Sequence, residues 1–268
     1  DITAAVSLEK EVGMKIYVCV KHVPDSAAKI SIRGKNQIDE SVTFLLNPYD
    51  ENALEEAARL KTQIGNSEVI AVTLGKEGAL NTLESALAMG ADRGILIKSD
   101  HRTDSIITAR ILKAAIEQDG KPDIIFTGKE SIDSEGMQTM FRLAAALDMP
   151  VAANVVTFSL DRDHVLVECE MEAGVRQVLE MALPCVIGAG KGLNTPRYPT
   201  FMDIRKAKKK EVKQIDLESL SIEKSSSSME ILELKPAVEQ RQAKELKGQP
   251  EEVVRQLIQV LRDEAKII

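Results

Sequence analysis

Two segments carry residue types whose spacing could do chemistry. Residues 127–139, reading TGKESIDSEGMQT, follow a short β-branched apolar run and lead into an amphipathic one. Gly128 permits close backbone approach, while Ser134, Gln138 and Thr139 place hydrogen-bonding groups at a helix start, where unpaired backbone N–H groups attract anions. A small anion could be held there, and a plain strand-to-helix connection would read the same way. Neither the P-loop spacing nor G-x-G-x-x-G occurs, which argues against a Walker NTPase and a Rossmann dehydrogenase. The second segment, residues 191–210, joins a turn-rich loop containing Pro196 and Pro199 to a basic helix running from Arg205 to Lys210. Leu193 at its tip has no evident core to enter, and an exposed apolar residue on a polar loop suggests docking. The charge run taken alone is equally a solvated helix face. Elsewhere, Cys19, Cys169 and Cys185 and His22, His101 and His164 are scattered, with no metal-ligand spacing and no nucleophile triad. The cysteines read as small buried residues of a reducing compartment. Asp133 and Glu135 are more simply loop and helix-start residues than an acid/base pair.

The elements that must position these segments are legible as periodicity. With 268 residues, 44% of them hydrophobic, the chain can bury a sizeable core. Its net charge of -7 argues against a general nucleic-acid binder, and no apolar run is long enough for a membrane span. Short apolar strands are expected at residues 15–20, 69–74, 94–98, 123–127 and 185–188. Amphipathic helices are expected at 81–89, 104–118 and 137–147. Alternation of this kind makes an α/β fold, a mostly parallel sheet covered on both faces. Asn47 can cap a further helix, with Pro48 at its first position, Asp50 and Glu51 in its first turn and Ala53, Leu54, Ala57 and Ala58 as its apolar stripe. Residues 30–46 read as a β excursion turning near 34–36, and residues 152–160, 165–171 and 177–183 as an antiparallel group that extends the sheet or packs on it. Residues 1–13 stand apart as an extension or remnant, because Met14 opens the first strand run; they lack the features of a transit or signal peptide. The α/β domain spans residues 14–224. Beyond it, residues 225–228 read as a serine linker, 231–234 as a strand-like arm and 250–263 as an amphipathic helix with Val253, Val254, Leu257, Ile258 and Leu261 on one face.

Several of these strings together resemble one family. Leu193-Asn194-Thr195-Pro196-Arg197-Tyr198 with its basic tail is similar to the signature of electron transfer flavoprotein β subunits. So are residues 18–25 (VCVKHVPD), 47–50 (NPYD), 86–94 (ALAMGADRG) and 128–133 (GKESID), collinear through almost the whole chain after Met14. The resemblance implies the adenine-nucleotide-binding (HUP-like) type of sheet, with a C-terminal arm that embraces an α subunit. It implies a structural AMP in this subunit and FAD shared with the α subunit. The AMP-contacting positions would be Cys19, Asn47, Pro48, Tyr49, Asp50, Leu74, Gly128, Lys129, Glu130, Ser131, Ile132, Asp133, Ser134, Glu135, Gly136, Met137, Gln138 and Thr139. Partner recognition would use Leu193, Asn194, Pro196, Arg197, Tyr198 and Lys206. Electrons would pass from acyl-CoA or related dehydrogenases to a quinone reductase or other acceptor, in the cytoplasm, by a carrier rather than an enzyme. No nucleic acid, metal or membrane insertion is implied.

The chain also departs from the family pattern. Met137-Gln138-Thr139-Met140 stands where many members have Asn-Gln-Thr-Gly, which alters a hydrogen-bonding side chain and backbone clearance. Ser26 stands where relatives place tyrosine beside the flavin. An electron-bifurcating subgroup holds a second FAD in place of AMP, and the bulky Met140 and Phe141 favour AMP here. An adenylyl-transfer enzyme and a nucleotide-sensing stress protein are rivals of the same broad fold; the first lacks its characteristic phosphate loops, and the second would work without flavin.

Overall fold

The computed structural model describes residues 13–220, 222, 229–236 and 244–268. In chain order the first strands are β1 (Met14–Cys19), β2 (His22–Pro24), β3 (Ile32–Arg33), β4 (Gln37–Ile38), β5 (Phe44–Leu46), β6 (Ser67–Gly75) and β7 (Arg93–Lys98). After them come β8 (Ile124–Gly128), β9 (Val151–Asp161), β10 (His164–Glu170), β11 (Arg176–Ala182), β12 (Cys185–Ala189) and β13 (Val212–Asp216). The helices are α1 (Pro48–Ile64), α2 (Leu80–Met89), α3 (Ser105–Asp119), α4 (Thr139–Leu147), α5 (Phe201–Ala207) and α6 (Pro250–Gln259).

Nine strands make one sheet in the order β11-β10-β9-β12-β8-β1-β6-β7-β13. The run from β9 to β13 is parallel, and β10 pairs antiparallel with both β9 and β11. Strand alternation sorts the core into two layers. Ile16 and Val18 of β1 pack with Ala53, Leu54 and Ala57 of α1 and Leu83, Ala86 and Leu87 of α2. Tyr17 points the other way, toward Ala109, Leu112 and Ile116 of α3 and Leu143 and Ala144 of α4. A sheet buried on both faces needs strands that are apolar throughout, which is why these runs stood out in the sequence.

The five parallel strands and the helices fall where periodicity placed them. The 30–46 excursion holds one small hairpin, β3 with β4, and ends in β5, which pairs back with β2 ahead of the excursion; the antiparallel group extends the sheet through β9. Four expectations need correction. α4 starts at Thr139, not 137, because Glu135 and Met137 adopt φ values of 46° and 48° and cannot continue a right-handed helix. The basic helix does not reach Lys210: α5 ends at Ala207, and Lys210 turns inward so that its Nζ donates to the carbonyls of Leu87 at 2.9 Å and Ala91 at 2.6 Å. Residues 231–234 form no strand, although Leu234 N donates to Lys35 O at 2.9 Å and Asn36 Nδ2 to Ile231 O at 3.2 Å. Asn47 sits at the N-cap of α1 without a capping side-chain bond. The linker at 225–228 and residues 1–12 lie outside the described residues.

At the amino end of the sheet a polar knot ties four elements, β1, β6, β7 and α3. Arg93 Nη1 and Nη2 donate to Asp119 at 3.0 and 2.7 Å, its Nε and Nη2 donate to Glu68 at 2.9 and 3.1 Å, and Tyr17 Oη donates to Asp119 at 2.8 Å. The knot leaves the opposite, carboxyl end of the sheet free for a site.

Candidate functional site

From β1 the chain proceeds to one side through β6 and β7 and then to the other through β8 and later β12, before β13 returns to the β7 edge. Such a reversal of strand order opens a crevice beyond the carboxyl ends of the strands. Cys19 is in register with Thr127, and Thr127 with Gly188, so the three form a row across β1, β8 and β12 on the α3/α4 face. Leu74, near the end of β6, packs against the same layer. Burial, and after it the charge of Asp50, push the Cys19 thiol up to about 12, although the residue keeps part of its surface exposed at the strand end. It is therefore no nucleophile at neutral pH.

The other face of the crevice is a set of polar clamps. Asp50, buried in the first turn of α1, accepts Lys21 N at 2.8 Å and Gly128 N at 3.0 Å. Asn47 is diverted from capping because its Nδ2 donates to Glu130 O at 2.9 Å and its Oδ1 accepts Ile132 N at 3.2 Å. Lys21 Nζ reaches Asp133 at 2.7 Å, Ser131 Oγ at 3.1 Å and Ser134 Oγ at 3.3 Å. Burial pushes the Asp50 carboxyl up to about 7, against the hydrogen bonds from Lys21 N, Asn47 and Gly128 N and the Lys21 charge. For Asp133, burial acts upward too, but the Lys21 charge and hydrogen bond outweigh it and hold the carboxyl below its usual range. Lys129 Nζ lies 5.2 Å over the Tyr49 ring and 3.4 Å from Glu130. Gly128 does permit a close approach, but the neighbour is α1: a Cβ there would strike the Asp50 carboxylate and lie 2.7 Å from Tyr49 Cβ.

Past these clamps, Gly136, Met137, Gln138, Phe141 and Arg142 line a cleft of about 420 Å³ at the N-terminus of α4. Arg142 Nη1 donates to Ser105 Oγ at 2.6 Å, bridging the first turns of α4 and α3. Met140 does not obstruct the cleft. Its side chain is buried, with its sulfur seated over Gly188, where a Cβ would collide with it. Thr127, in the same row as Gly188, is 7% exposed, and among the described residues its Oγ1 is buried without a partner. A buried hydroxyl lacking a partner costs free energy that a ligand oxygen could recover. In the cleft itself, backbone N–H groups at the start of α4 and the Arg142 cation fit a phosphate, and the half-exposed Met137 and Phe141 offer apolar surface for a planar base. The expected loop from Gly128 to Thr139 and the Asn47–Asp50 turn are thus brought together around Lys21. Sequence reading gave no role to Lys21 or Arg142 and took Thr127 only as the start of the loop. Lys21 and Thr127 directly follow or end apolar strand runs, a position that could have marked them; Arg142 lies inside a helix and carries no such mark.

The second segment is arranged differently from its expectation. Leu193 is half-buried and packs on the α1/α2 core layer, so its side chain roots the loop instead of projecting from it. Asn194 and Arg197 bond to α1, while Pro196 is partly covered and Lys206 exposed. The outward residues are apolar: Tyr198 is 95% exposed and Phe201 78%, with Met202 and Ile204 following on α5. Thr200 and Asp203 cap α5 reciprocally, fixing the direction in which this ridge points. Among the described residues there is no cluster of histidine, cysteine and acidic side chains suited to a metal ion, and no helix long and apolar enough to cross a membrane.

A family model described as the electron transfer flavoprotein domain matches residues 36–220. The chain is 32% identical over 259 residues to the electron transfer flavoprotein subunit beta of Bacillus subtilis (strain 168), covering 95% of this chain and all of that protein. It is 36% identical over 259 residues to the mitochondrial subunit beta of Arabidopsis thaliana, with the same coverage. To the subunit beta of Sus scrofa it is 37% identical over 219 residues, covering 80% of this chain and 85% of that one.

Proposed function

The chain belongs to the electron transfer flavoprotein family, as a β-type subunit, and from that premise we propose that its crevice holds AMP while an α subunit joins it to complete a site for FAD. The observation that carries the nucleotide reading is the cleft at the α4 N-terminus, lined by Gln138 and Arg142, in the connection that leaves β8 at the switch point of the sheet. Thr127, Gln138, Thr139 and Arg142 would receive the phosphate, and Met137 and Phe141 the base. Asn47, Asp50 and Lys21 would keep the loop between Gly128 and Thr139 folded over it.

Bound flavin supplies the redox chemistry, and the protein supplies position and electrostatics. In this reading the chain carries electrons from acyl-CoA or related dehydrogenases to a quinone reductase or another acceptor. Residues 14–224 form the nucleotide-binding body, and residues 225–268 reach the α subunit. Tyr198, Phe201 and Met202 face the redox partners, with Leu193 anchoring them from beneath. The unpaired cysteines suit a reducing compartment, for which the cytoplasm is the assignment proposed.

Co-expression with the α subunit, denaturation of the purified complex and chromatography of the released nucleotides test the reading. One FAD and one AMP per heterodimer are expected. Two FAD without AMP would replace the carrier by a bifurcating protein, and absence of any flavin would overturn the reading altogether.

A further inference from the structure

Beside its apolar stripe, α1 carries a second face that is polar and yet buried. Asn52, Glu55 and Glu56, at i, i+3 and i+4, are 5%, 7% and 8% exposed. Burial of carboxylates demands partners, and besides Arg59 of α1 itself, 3.5 Å from Glu56, these lie in the docking segment. Glu55 takes the Arg197 fork through Nε at 2.7 Å and Nη2 at 3.0 Å, and also accepts the Arg197 backbone N–H at 3.1 Å. Asn52 Nδ2 donates to Asn194 O at 3.0 Å and to its Oδ1 at 3.1 Å; Asn194 Nδ2 in return donates to Asn52 O at 3.0 Å and Glu56 at 2.8 Å. The residue after Arg197 is Tyr198, the start of the exposed ridge.

We propose that Glu55, acting through Arg197, is a positioning residue for partner docking: together with the Asn52–Asn194 pair it latches the segment to α1, so that one helix carries the nucleotide clamps on its first turn and the root of the partner-facing ridge on its next. Neither Glu55 nor Asn52 would touch the partner; both fix the backbone from which Tyr198 and Phe201 project. A bidentate, charge-assisted pair that also holds a backbone amide is geometrically stricter than a point contact, which suits setting a direction. The partner this implies is a redox protein presenting an apolar recess, and that part rests on the β-subunit reading above. The latch itself does not.

The test uses the full heterodimer with Glu55→Ala, with Asn194→Ala, and with the charge swap Glu55→Arg/Arg197→Glu. Hydrogen exchange across residues 193–198 reads the latch, and FAD reduction by an acyl-CoA dehydrogenase reads docking. Glu55→Ala should speed exchange of the Arg197 amide about tenfold, as loss of a charged hydrogen bond would. It should raise KM for the dehydrogenase about fivefold with kcat and nucleotide content unchanged. The charge swap should recover part of both effects. Asn194→Ala, which leaves α1 intact, should change both in the same direction even where Glu55→Ala fails to fold. Wild-type exchange in both single variants, or faster exchange with no change in KM, would overturn the proposal. Should the wild-type heterodimer accept no electrons from dehydrogenases, the β-subunit reading fails, and the exchange measurement still decides whether the latch exists.

Discussion

Two buried aspartates in this chain have opposite relations to pH, because one has a cation against it and the other mainly backbone amides. For Asp119, burial acts upward, but the Arg93 and Tyr17 hydrogen bonds and the Arg93 charge hold the carboxyl below its usual range. Its stabilisation is therefore present above the unfolded pKa of about 4 and lost as pH falls through the lower, folded value. Asp119→Asn should cost about 2 kcal/mol at pH 7, since Arg93 keeps Glu68 as a partner, and the difference from the wild type should shrink toward pH 3 in urea unfolding. Asp50, raised by burial to about 7, behaves the other way. The folded state holds the extra proton between about pH 4 and 7, so the stability it confers is full below about 4 and is lost as pH rises to about 7. Asp50→Asn keeps one acceptor for two amides and should destabilise by about 2 kcal/mol at pH 5. The penalty should be smaller at pH 8; an equal or larger penalty there would mean that Asp50 is ionised throughout and stabilised by its amides.

At the level of elements, what the sequence revealed depended on whether one residue's neighbours along the chain decide its fate. β1, β6, β7, β8 and β12 were legible because each is apolar on both faces, and α1, α2 and α3 because their apolar stripes repeat at helical spacing, whereas the half-polar edge strand β13 was not read as a strand. The loop from Gly128 to Thr139 and the Asn47–Asp50 turn were likewise found as motifs, and they do meet at the crevice. The features that escaped are those settled by distant partners. Leu193 looked exposed because its loop is polar, but it packs on a layer assembled from elements spread along the whole chain. Asn47 looked like a cap, but the Glu130 carbonyl and the Ile132 amide claim its side chain. The start of α4 shifted because two non-glycine residues adopt left-handed backbone, which composition does not announce. Gly128 shows how tightly such meetings are packed. Gly128→Ala drives a methyl into Asp50 and the Tyr49 backbone, and neither can move without displacing α1 from β8. A cost of about 3 kcal/mol is expected from the overpacking, together with loss of AMP from the purified complex. Wild-type denaturation with full AMP content would show that the α1 turn and the crevice are independent.

On the scale of the whole molecule, the apolar surface left outward points to where the chain must find company. The α/β body buries both faces of the central parallel strands, yet α6 has no buried residue, and Val254, Leu257 and Ile258 remain exposed on one side of it. Its capping box and Pro250 favour helix formation locally, so the helix is specified by its own sequence while its face awaits a surface. The segment before it is tethered to the body where Leu234 and Ile231 bond to Lys35 and Asn36 of the β3–β4 turn, which fixes the side from which the arm leaves. In the proposed heterodimer that surface is the α subunit. Covering three such side chains, each already about half-shielded, should contribute about 1 kcal/mol apiece, so about 3 kcal/mol in all. Removal of residues 229–268 should therefore weaken heterodimer formation about a hundredfold in titration calorimetry. Far-ultraviolet circular dichroism of the truncated chain should retain the α/β spectrum, because none of the nine strands of the sheet lies beyond Asp216. Unchanged affinity would mean that α6 folds back on its own body, and the exposed ridge at Tyr198 and Phe201 would then be left, beside Leu166 and Val178 on β10 and β11, as apolar surface for partners.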